Sequence, residues 1–283
     1  MPELPEVETV CRTLAEAVVD QRVEAVRITR KDVVRGPQTL LRGQRIVRVL
    51  RHGKQLAMVG DRGGCVCVHL GMSGSLRVVH TNEKNSDELD ASPTDHVHVT
   101  WTFAHGTELR FRDPRRFGGV WAFADEAELR ERRWDKLGPD GLVITPGRLH
   151  AGLSRTQRDL KAALLDQHLV AGLGNIYVDE LLFATKLHPR KLAAAVTKAE
   201  SGRLVRAMRR ILNRAIEAGG STLRDYVDAQ GQSGGFQNRH RVYGRGGEAC
   251  PACGRPLESF VVAGRTTTAC GHCQLGARVS GER

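Results

Sequence analysis

Residues 45–50 (RIVRVL), 65–70 (CVCVHL) and 96–101 (HVHVTW) decide the fold of the first half of the chain. Each is a short run rich in β-branched residues, and glycine-containing turns separate such runs from about residue 23 to residue 123. Residues of this kind favour strands because their side chains pack well on a pleated surface. We therefore predict an antiparallel β-sandwich or barrel-like domain over this region.

The chain on either side of this region has helical patterns. Pro2 and Pro5, followed by acidic residues and by apolar residues at helical spacing, indicate a helix at the N-terminus. After a glycine- and proline-rich segment at residues 134–147, helical periodicity returns over residues 160–186 and 195–218. These patterns predict the α+β fold class, with strands in the first half and helices in the second.

The chain is strongly basic and lacks the patterns of membrane insertion or export. Its 283 residues include 43 Lys and Arg against 32 Asp and Glu, a formal charge of +11. This surplus favours a polyanionic partner, although a merely soluble basic protein would also fit. No run approaches the ~18 apolar residues of a membrane span, and Glu3, Glu6 and Glu8 stand where a signal peptide is positively charged. We therefore expect a cytosolic protein in a reducing compartment.

Four of the seven cysteines form two closely spaced pairs, Cys250-Pro-Ala-Cys253 and Cys270-Gly-His-Cys273. Two such pairs, joined by a hairpin-sized insert, supply four thiolates for one tetrahedral zinc ion. The alternative, two disulfides, does not suit a reducing compartment. A zinc ion held by four cysteines has no open coordination position and is structural. The pattern therefore predicts a zinc hairpin, and by itself it does not indicate an enzyme.

The N-terminus offers a second kind of chemistry. Removal of Met1 would expose the secondary amine of Pro2, which can attack an aldehydic carbon and form an iminium. Glu3 and Glu6 are close by in the sequence and could transfer protons. The same residues are also ordinary at a helix start, where proline and acidic side chains suit the free N–H groups and the helix dipole. Spacing alone favours this structural interpretation.

Three further segments are candidates for phosphate contact. Residues 172–177 (GLGNIY) place two glycines and Asn175 before a helical stretch, where backbone N–H groups can bind an anion or simply form a turn. Lys54 and the run at residues 112–119 (RDPRRFGG) are basic turns next to predicted strands. These basic turns are compatible with DNA contact and equally with a solvated surface.

Five segments, in the same order, make the chain resemble the formamidopyrimidine-DNA glycosylases over nearly its whole length. They are residues 2–9 (PELPEVET), 69–76 (HLGMSGSL), 113–118 (DPRRFG), 174–177 (GNIY) and 242–245 (VYGR), the last leading into the four cysteines. The resemblance implies an N-terminal helix and antiparallel β-sandwich, a helix-two-turn-helix domain and a zinc finger. The implied domains are residues 1–133, 151–243 and 244–283, with residues 134–150 as a linker.

The resemblance also implies an activity. Enzymes of this family excise oxidised purines (8-oxoguanine and formamidopyrimidines) from duplex DNA and then cleave the abasic site by β,δ-elimination. By resemblance, Pro2 attacks C1′ of the damaged nucleotide, Glu3 is the acid beside it, and Glu6 helps to organise the site. Lys54 matches the lysine that contacts phosphate and is assigned to β-elimination, and Arg265 matches the zinc-finger arginine assigned to δ-elimination.

Other residues are implied to contact DNA. Met72, Arg115 and Phe117 match three side chains that fill the gap left by an everted base, and Arg115 would pair with the orphaned cytosine. Residues 222–243 resemble a flexible lid that closes over the extruded base. The remaining implied contacts are Asn175, which would grip the backbone with Lys54 and Arg265, and Tyr243, His96 and Arg155.

Two departures from the family leave alternatives open. The family often has a basic run before the helix with Lys161, whereas this chain has Arg155, Thr156 and Arg158 there, and any of these could be the contact. A family histidine corresponds to Thr94, so His96 is the nearer candidate for its role.

The expected partner is damaged double-stranded DNA, and the expected cofactor is one structural zinc ion with no organic cofactor. We expect a monomer, without membrane attachment, in the cytoplasm of a bacterium and associated with its nucleoid.

Two other functions fit parts of the sequence. An endonuclease VIII-like enzyme, acting on oxidised pyrimidines, would share the scaffold, but such chains typically begin Pro-Glu-Gly-Pro. Leu4 and residues 113–118 therefore argue against it. A non-catalytic zinc-finger protein could also keep the scaffold, and the intact Pro2, Glu3 and Lys54 argue against that interpretation.

Overall fold

The computed structural model of the protein describes residues 2–80 and 95–276. The polar segment at residues 81–93, whose composition predicts a solvated loop, lies outside the described residues, as does Thr94. Within the described part of the chain, no helix has the length and apolar character needed to cross a bilayer.

The chain forms two compact units. The first unit consists of Met1–Lys136 and Ala218–Gln237, and the second of Leu137–Glu217 and Asn238–Arg283. These limits differ from the domain limits implied by the resemblance, which place residues 218–237 with the helices. The implied domain limits stay a prediction.

The first unit contains a long N-terminal helix followed by strands, as the sequence predicts. Its helices are α1 (Leu4–Val18) and α2 (Glu126–Arg132). Its strands are β1 (Val23–Ile28), β2 (Val34–Arg35), β3 (Ile46–His52), β4 (Gln55–Gly60), β5 (Cys65–His69), β6 (Ser75–His80), β7 (Val97–Phe103), β8 (Thr107–Arg112) and β9 (Gly119–Phe123).

These strands form two sheets, in the orders β1-β7-β8-β6 and β2-β9-β5-β4-β3. Every pairing is antiparallel except that of the two-residue strand β2 with β9, which is parallel. The predicted sandwich is therefore confirmed, with one short parallel pair at a sheet edge.

One apolar core joins α1 to both sheets. It includes Val10 and Leu14 of α1, Leu56 and Val68 of the five-stranded sheet, and Trp101 and Phe111 of the four-stranded sheet. Trp101 is fully buried, and its indole N–H donates to the carbonyl oxygen of Leu40 over 3.0 Å. The alternating strand residues predicted to be apolar thus face this core.

The second unit contains helices and one hairpin. They are α3 (Pro146–Leu153), α4 (Leu160–Leu164), α5 (Asn175–Thr185), α6 (Lys198–Glu217), β10 (Glu258–Val262) and β11 (Arg265–Ala269). Helix α3 begins inside the segment predicted as a linker, because Thr145 caps it through the N–H of Arg148 and Pro146 suits the first turn. Leu204, Met208 and Leu212 of α6 are buried, which agrees with the helical periodicity predicted over residues 195–218.

The single helical pattern predicted over residues 160–186 corresponds in the structure to two helices, α4 and α5, which are joined by a turn. The side chain of Gln167 holds this turn together, donating to the carbonyl oxygens of Leu165 and Leu173 and accepting the N–H of Gly172. Helix α5 then begins directly after Gly174, so Asn175 is its first residue.

Candidate active site

The N-terminal residues with candidate catalytic roles are buried at the start of α1. Pro2 is buried, and Glu3 and Glu6 are each only 2% exposed. The carboxylate of Glu6 accepts the backbone N–H of Glu3 over 2.9 Å, the reciprocal half of a capping box. This contact fixes how the chain carrying Pro2 enters the helix.

Glu6 also binds the loop that follows α6. Its second carboxylate oxygen accepts the backbone N–H of Ser221 over 2.7 Å, and the Tyr226 hydroxyl lies 3.1 Å from the Glu6 carbonyl oxygen. Gly220, with φ of +81°, packs so closely that an added Cβ would lie 3.0 Å from the Glu6 side chain. Glu6 therefore links the N-terminus to the loop that resembles a lid.

Lys54 lies with Gly53 in the tight turn between β3 and β4, and its side chain is 8% exposed. The neighbouring Arg51 donates to the Gly53 carbonyl oxygen over 3.1 Å and pairs with Glu8 of α1 over 2.6 Å. Arg51 thus ties the turn that carries Lys54 to the helix that carries Glu3.

Met72, Arg115 and Phe117 lie on two loops that are joined to each other. Met72 is 43% and Phe117 55% exposed, and the Arg115 guanidinium lies 4.7 Å from the centre of the Phe117 ring. We call residues 70–74 and 113–118 the paired loops. Exposed apolar side chains of this kind suit insertion into a base stack.

Buried Asp113 holds the paired loops together. One carboxylate oxygen accepts the hydroxyl of Ser73 over 2.8 Å, and the other accepts the N–H of Gly118 over 2.7 Å. The loops approach so closely that a Cβ on Gly71 would lie 2.4 Å from the Gly118 nitrogen. The sequence places Asp113 in a basic turn but does not indicate this structural role, because its partners are 5 and 40 residues away.

His69, just before the paired loops, is kept neutral. Burial, reinforced by the charges of Arg133 and Lys54, lowers the pKa of His69 to about 4. Its Nδ1 accepts the N–H of Gly71 over 3.1 Å, a contact that requires an unprotonated nitrogen.

His69 should make the stability of the protein sensitive to acid. Its pKa in the folded state lies below the ordinary value of 6.5, so the unfolded chain binds the proton more tightly, and stability falls as pH drops from about 6.5 towards 4. We expect on the order of 2–3 kcal/mol of this loss to come from His69. Urea unfolding at pH 7 and pH 4.5 should show a smaller loss for His69→Gln, whereas His80→Gln, at an exposed position, should behave as wild type. Equal losses in all three proteins would contradict this role.

Two predicted DNA contacts at the surface remain predictions. His96 is exposed, has φ of +60°, and lies 3.2 Å from the Asp95 carboxylate. Arg155 is exposed, and no ion pair is found for it among the described residues, whereas Arg158 pairs with Asp166 over 2.8 Å. Of the residues that could make this DNA contact, Arg155 is therefore the arginine whose charge is not paired within the described chain.

In the second unit, Asn175 and the strand of Arg265 are in direct contact. The Asn175 amide donates to the carbonyl oxygen of Thr266 over 2.9 Å, and exposed Arg265 precedes that residue in β11. The same carbonyl oxygen accepts from Lys161 over 3.2 Å. The Asn175 side-chain oxygen is buried and has no hydrogen-bond partner among the described residues.

A buried ion pair supports this contact. Lys161 and Asp179 are 0% and 1% exposed at their side chains and lie 2.6 Å apart. Asp179 also accepts the N–H of Thr268 in β11 over 3.1 Å. No local pattern in the sequence indicates that Lys161 is buried or that Asp179 is its partner.

Tyr243 lies in a turn organised by Glu180 of α5. The buried Glu180 carboxylate accepts the backbone N–H groups of Arg241, Val242 and Tyr243, each over about 2.9 Å. The Tyr243 ring, half-buried, packs edge-on against His240. Its contact with DNA stays a prediction.

The four predicted zinc ligands come together around one point. All four sulfur atoms lie within 4.8 Å of one another, with Cys250–Cys273 and Cys253–Cys270 separations of 3.9 and 3.6 Å. Four Zn–S bonds of about 2.3 Å in a tetrahedron require sulfurs about 3.8 Å apart. The thiols are free of disulfides, so the predicted zinc site is supported and the disulfide alternative is wrong.

The hairpin between the cysteine pairs has the predicted form. Strands β10 and β11 are antiparallel, and Ala263 and Gly264 between them both have positive φ, as in the type I′ turns of two-residue hairpins. His272, between the second pair of cysteines, is exposed and outside the group of four.

Comparison with known proteins places this geometry in a family. Three family models match: the formamidopyrimidine-DNA glycosylase N-terminal domain (residues 1–120), its H2TH domain (residues 137–227), and the zinc finger found in FPG and IleRS (residues 247–275).

Curated proteins and solved structures agree with these models. Formamidopyrimidine-DNA glycosylase from Bacillus licheniformis is 43% identical over 97% of this chain and 99% of its own. The MutM (FPG) protein of Thermus thermophilus is 42% identical with a TM-score of 0.84, covering 96% of this chain and 98% of its own. A Lactococcus lactis FPG mutant, solved with Fapy-dG containing DNA, is 35% identical with a TM-score of 0.86, covering 96% and 99%. The chain therefore belongs to the formamidopyrimidine-DNA glycosylase family.

Proposed function

We propose that this protein excises oxidised purines from duplex DNA and then cleaves the backbone through an iminium on Pro2. The Pro2 amine attacks C1′ and the glycosidic bond breaks, so the base departs with the bonding electrons and a proton supplied by the site. The sugar ring then opens at its C1′–O4′ bond, which leaves an iminium between the Pro2 nitrogen and C1′. Loss of a proton from C2′ expels the 3′ phosphate, and loss of a proton from C4′ then expels the 5′ phosphate. Glu3 transfers protons at the sugar, Lys54 acts in the first elimination and Arg265 in the second.

The observation that carries this proposal is the buried N-terminus held by Glu6. Glu6 uses both carboxylate oxygens on backbone N–H groups, those of Glu3 and Ser221, so it suits a positioning role. In this proposal Glu3, whose side chain accepts the backbone N–H of Glu6 in the capping box, is the acid beside Pro2. Ordinary helix capping explains the Glu3 contact but not the second contact to a loop 215 residues away.

The paired loops support a duplex substrate. Extruding a base leaves a gap whose stacking must be replaced, and Met72 and Phe117 present exposed apolar groups for that purpose. Relatives have been solved with Fapy-dG containing DNA and with carbocyclic 8-oxo-G containing DNA. We take the oxidised purines as substrates of this chain on that basis.

Borohydride trapping tests the proposal. The zinc-loaded protein with Met1 removed should form a covalent adduct with an 8-oxoguanine:cytosine duplex, and mass spectrometry should find the DNA on the N-terminal peptide. A chain extended by two residues before Pro2 should form no adduct, because its N-terminal proline amine is gone. Pro5→Ala is the matched control, since Pro5 also lies in the first turn of α1 but has no free amine; it should trap normally.

Each other outcome has a definite meaning. An adduct formed equally by the extended chain would rule out Pro2 as the nucleophile. Adducts mainly on thymine glycol duplexes would favour the endonuclease VIII-like function. No adduct on any oxidised or abasic duplex would leave a DNA-binding protein without this chemistry.

A further inference from the structure

A cationic cavity of about 330 Å³ lies in the second unit, between the end of α5 and one face of α6. Its charged lining residues are Lys186, Arg203, Arg206 and Arg210. The three arginines recur at intervals of three and four residues, so they lie on one face of α6. With a rise of 1.5 Å per residue, their backbone positions span about 10.5 Å along the helix.

The cavity is separated from the residues implied to grip DNA. Asn175 is the first residue of α5, and Lys186 follows its last residue. These two positions are about 16 Å apart along an ideal helix axis. The contact between Asn175 and Thr266 is therefore at one end of α5, and the cavity is at the other.

The positive charge of the cavity is not neutralised within the described chain. Among the described residues, Lys186, Arg206 and Arg210 form no ion pair. Arg203 has only a 3.8 Å contact with the carboxylate of Glu200. Glu200 is already engaged by Lys191 over 2.7 Å and by the N–H of Thr197 over 2.8 Å. Four like charges around one cavity repel one another, and an anion bound among them would relieve that repulsion.

The rest of the lining favours phosphate over an acidic protein. The other lining residues are small, Ala184, Thr185 and Ala207. Protein interfaces are typically centred on large apolar or aromatic side chains. The residues that line this cavity include no such side chain against which a partner's apolar group could pack. Each guanidinium group presents a planar fork of donors that suits phosphate oxygens, and three of them along one helix face can contact several phosphates of a nucleic acid strand.

We infer that this α6 face, formed by Lys186, Arg203, Arg206 and Arg210, is a second binding site for the phosphate backbone of duplex DNA. It binds a DNA segment other than the one that Asn175 and Arg265 contact. The inference rests on the proposed function in that the chain must meet DNA, but it requires no catalysis. Its use would be to hold a neighbouring duplex while the first is searched or processed.

Salt dependence of binding tests this site directly. Binding of an undamaged, labelled 20-base-pair duplex is measured by fluorescence anisotropy from 50 to 200 mM salt, with full-length zinc-loaded protein whose tighter site has first been filled by one equivalent of unlabelled duplex. The variant is Arg203→Gln, Arg206→Gln and Arg210→Gln together; the control, with the same loss of charge, is Arg22→Gln, Arg27→Gln and Arg42→Gln. Both sets are exposed, so folding should be preserved, which thermal unfolding checks.

We expect the slope of log K against log salt to fall by roughly 2–3 in the variant and by clearly less in the control, since each lost phosphate contact removes about 0.9. A second readout uses protein already trapped on a lesion duplex. That complex should bind a second, labelled duplex, and the α6 variant should not.

Three results would overturn the inference: equal slopes in variant and control, a trapped complex that binds no second duplex, or an effect seen with a polyglutamate peptide but not with DNA. Normal trapping by the α6 variant is expected in every case. Failure of trapping by the wild-type protein would instead count against the proposed function, while the undamaged duplex still reports on the α6 face.

Discussion

Removing the metal should unfold the hairpin segment of the second unit. The apolar cluster there consists of Phe183, Val242, Cys250, Leu257 and Cys270, and two of its five buried members are metal ligands. So small a core cannot offset the entropy of ordering the segment. Structural zinc typically contributes about 10–16 kcal/mol of apparent binding free energy, which becomes folding free energy at such sites.

Metal analysis and amide hydrogen exchange check this expectation. Cys253→Ser, or the wild type after chelation, should lose its single zinc ion and the protection of the β10–β11 amides. Cys11→Ala is the matched control, because Cys11 is a buried cysteine of α1 outside the metal group; it should keep one zinc per chain. Full protection of the hairpin after verified metal removal would show that the metal is dispensable for folding.

Lys161→Met should destabilise the second unit by about 3–5 kcal/mol, because it leaves the Asp179 carboxylate buried without its counter-charge. Both side chains are essentially inaccessible, and the pair also binds the backbone of β11. The double variant Lys161→Met/Asp179→Leu should recover part of the loss, because no uncompensated charge remains.

Urea unfolding provides the measurement, with Lys191→Met as control. Lys191 pairs with Glu200 at a similar distance, 2.7 Å, but both side chains are partly exposed, so its removal should cost at most about 1 kcal/mol. If Lys161→Met and Lys191→Met lowered the free energy of unfolding equally, burial would not be the deciding factor. DNA binding by the folded Lys161 variant should also weaken, since Thr266 beside Arg265 loses one of its donors.

Local patterns were sufficient for the elements that depend on neighbouring residues. The zinc ligands follow from two Cys-x-x-Cys pairs, and the start of α1 follows from Pro5 and the flanking acids. Strand alternation predicted the sandwich because burial on one face of a sheet has a period of two.

Contacts between distant residues could not be read in this way. Glu6 and Ser221 are 215 residues apart, and Lys161 and Thr266 are 105 apart. Nothing in the local sequence distinguishes Lys161 from a lysine exposed to solvent. Lys161 of α4 is buried because it contacts Asp179 of α5 and Thr266 of β11, which are distant in the sequence. The role of Pro2 likewise required the family resemblance, because locally it is a helix-start proline.

The bond of Asp113 to both Ser73 and Gly118 has a consequence for the energetics of DNA binding. These loops are immobilised during folding, so the conformational entropy lost in ordering them belongs to the free energy of folding. In the proposed function, where Met72, Arg115 and Phe117 enter the duplex, binding would then have to immobilise only their exposed side chains. The structure is in this sense preorganised, and more of the interaction energy with a duplex remains for opening the base stack.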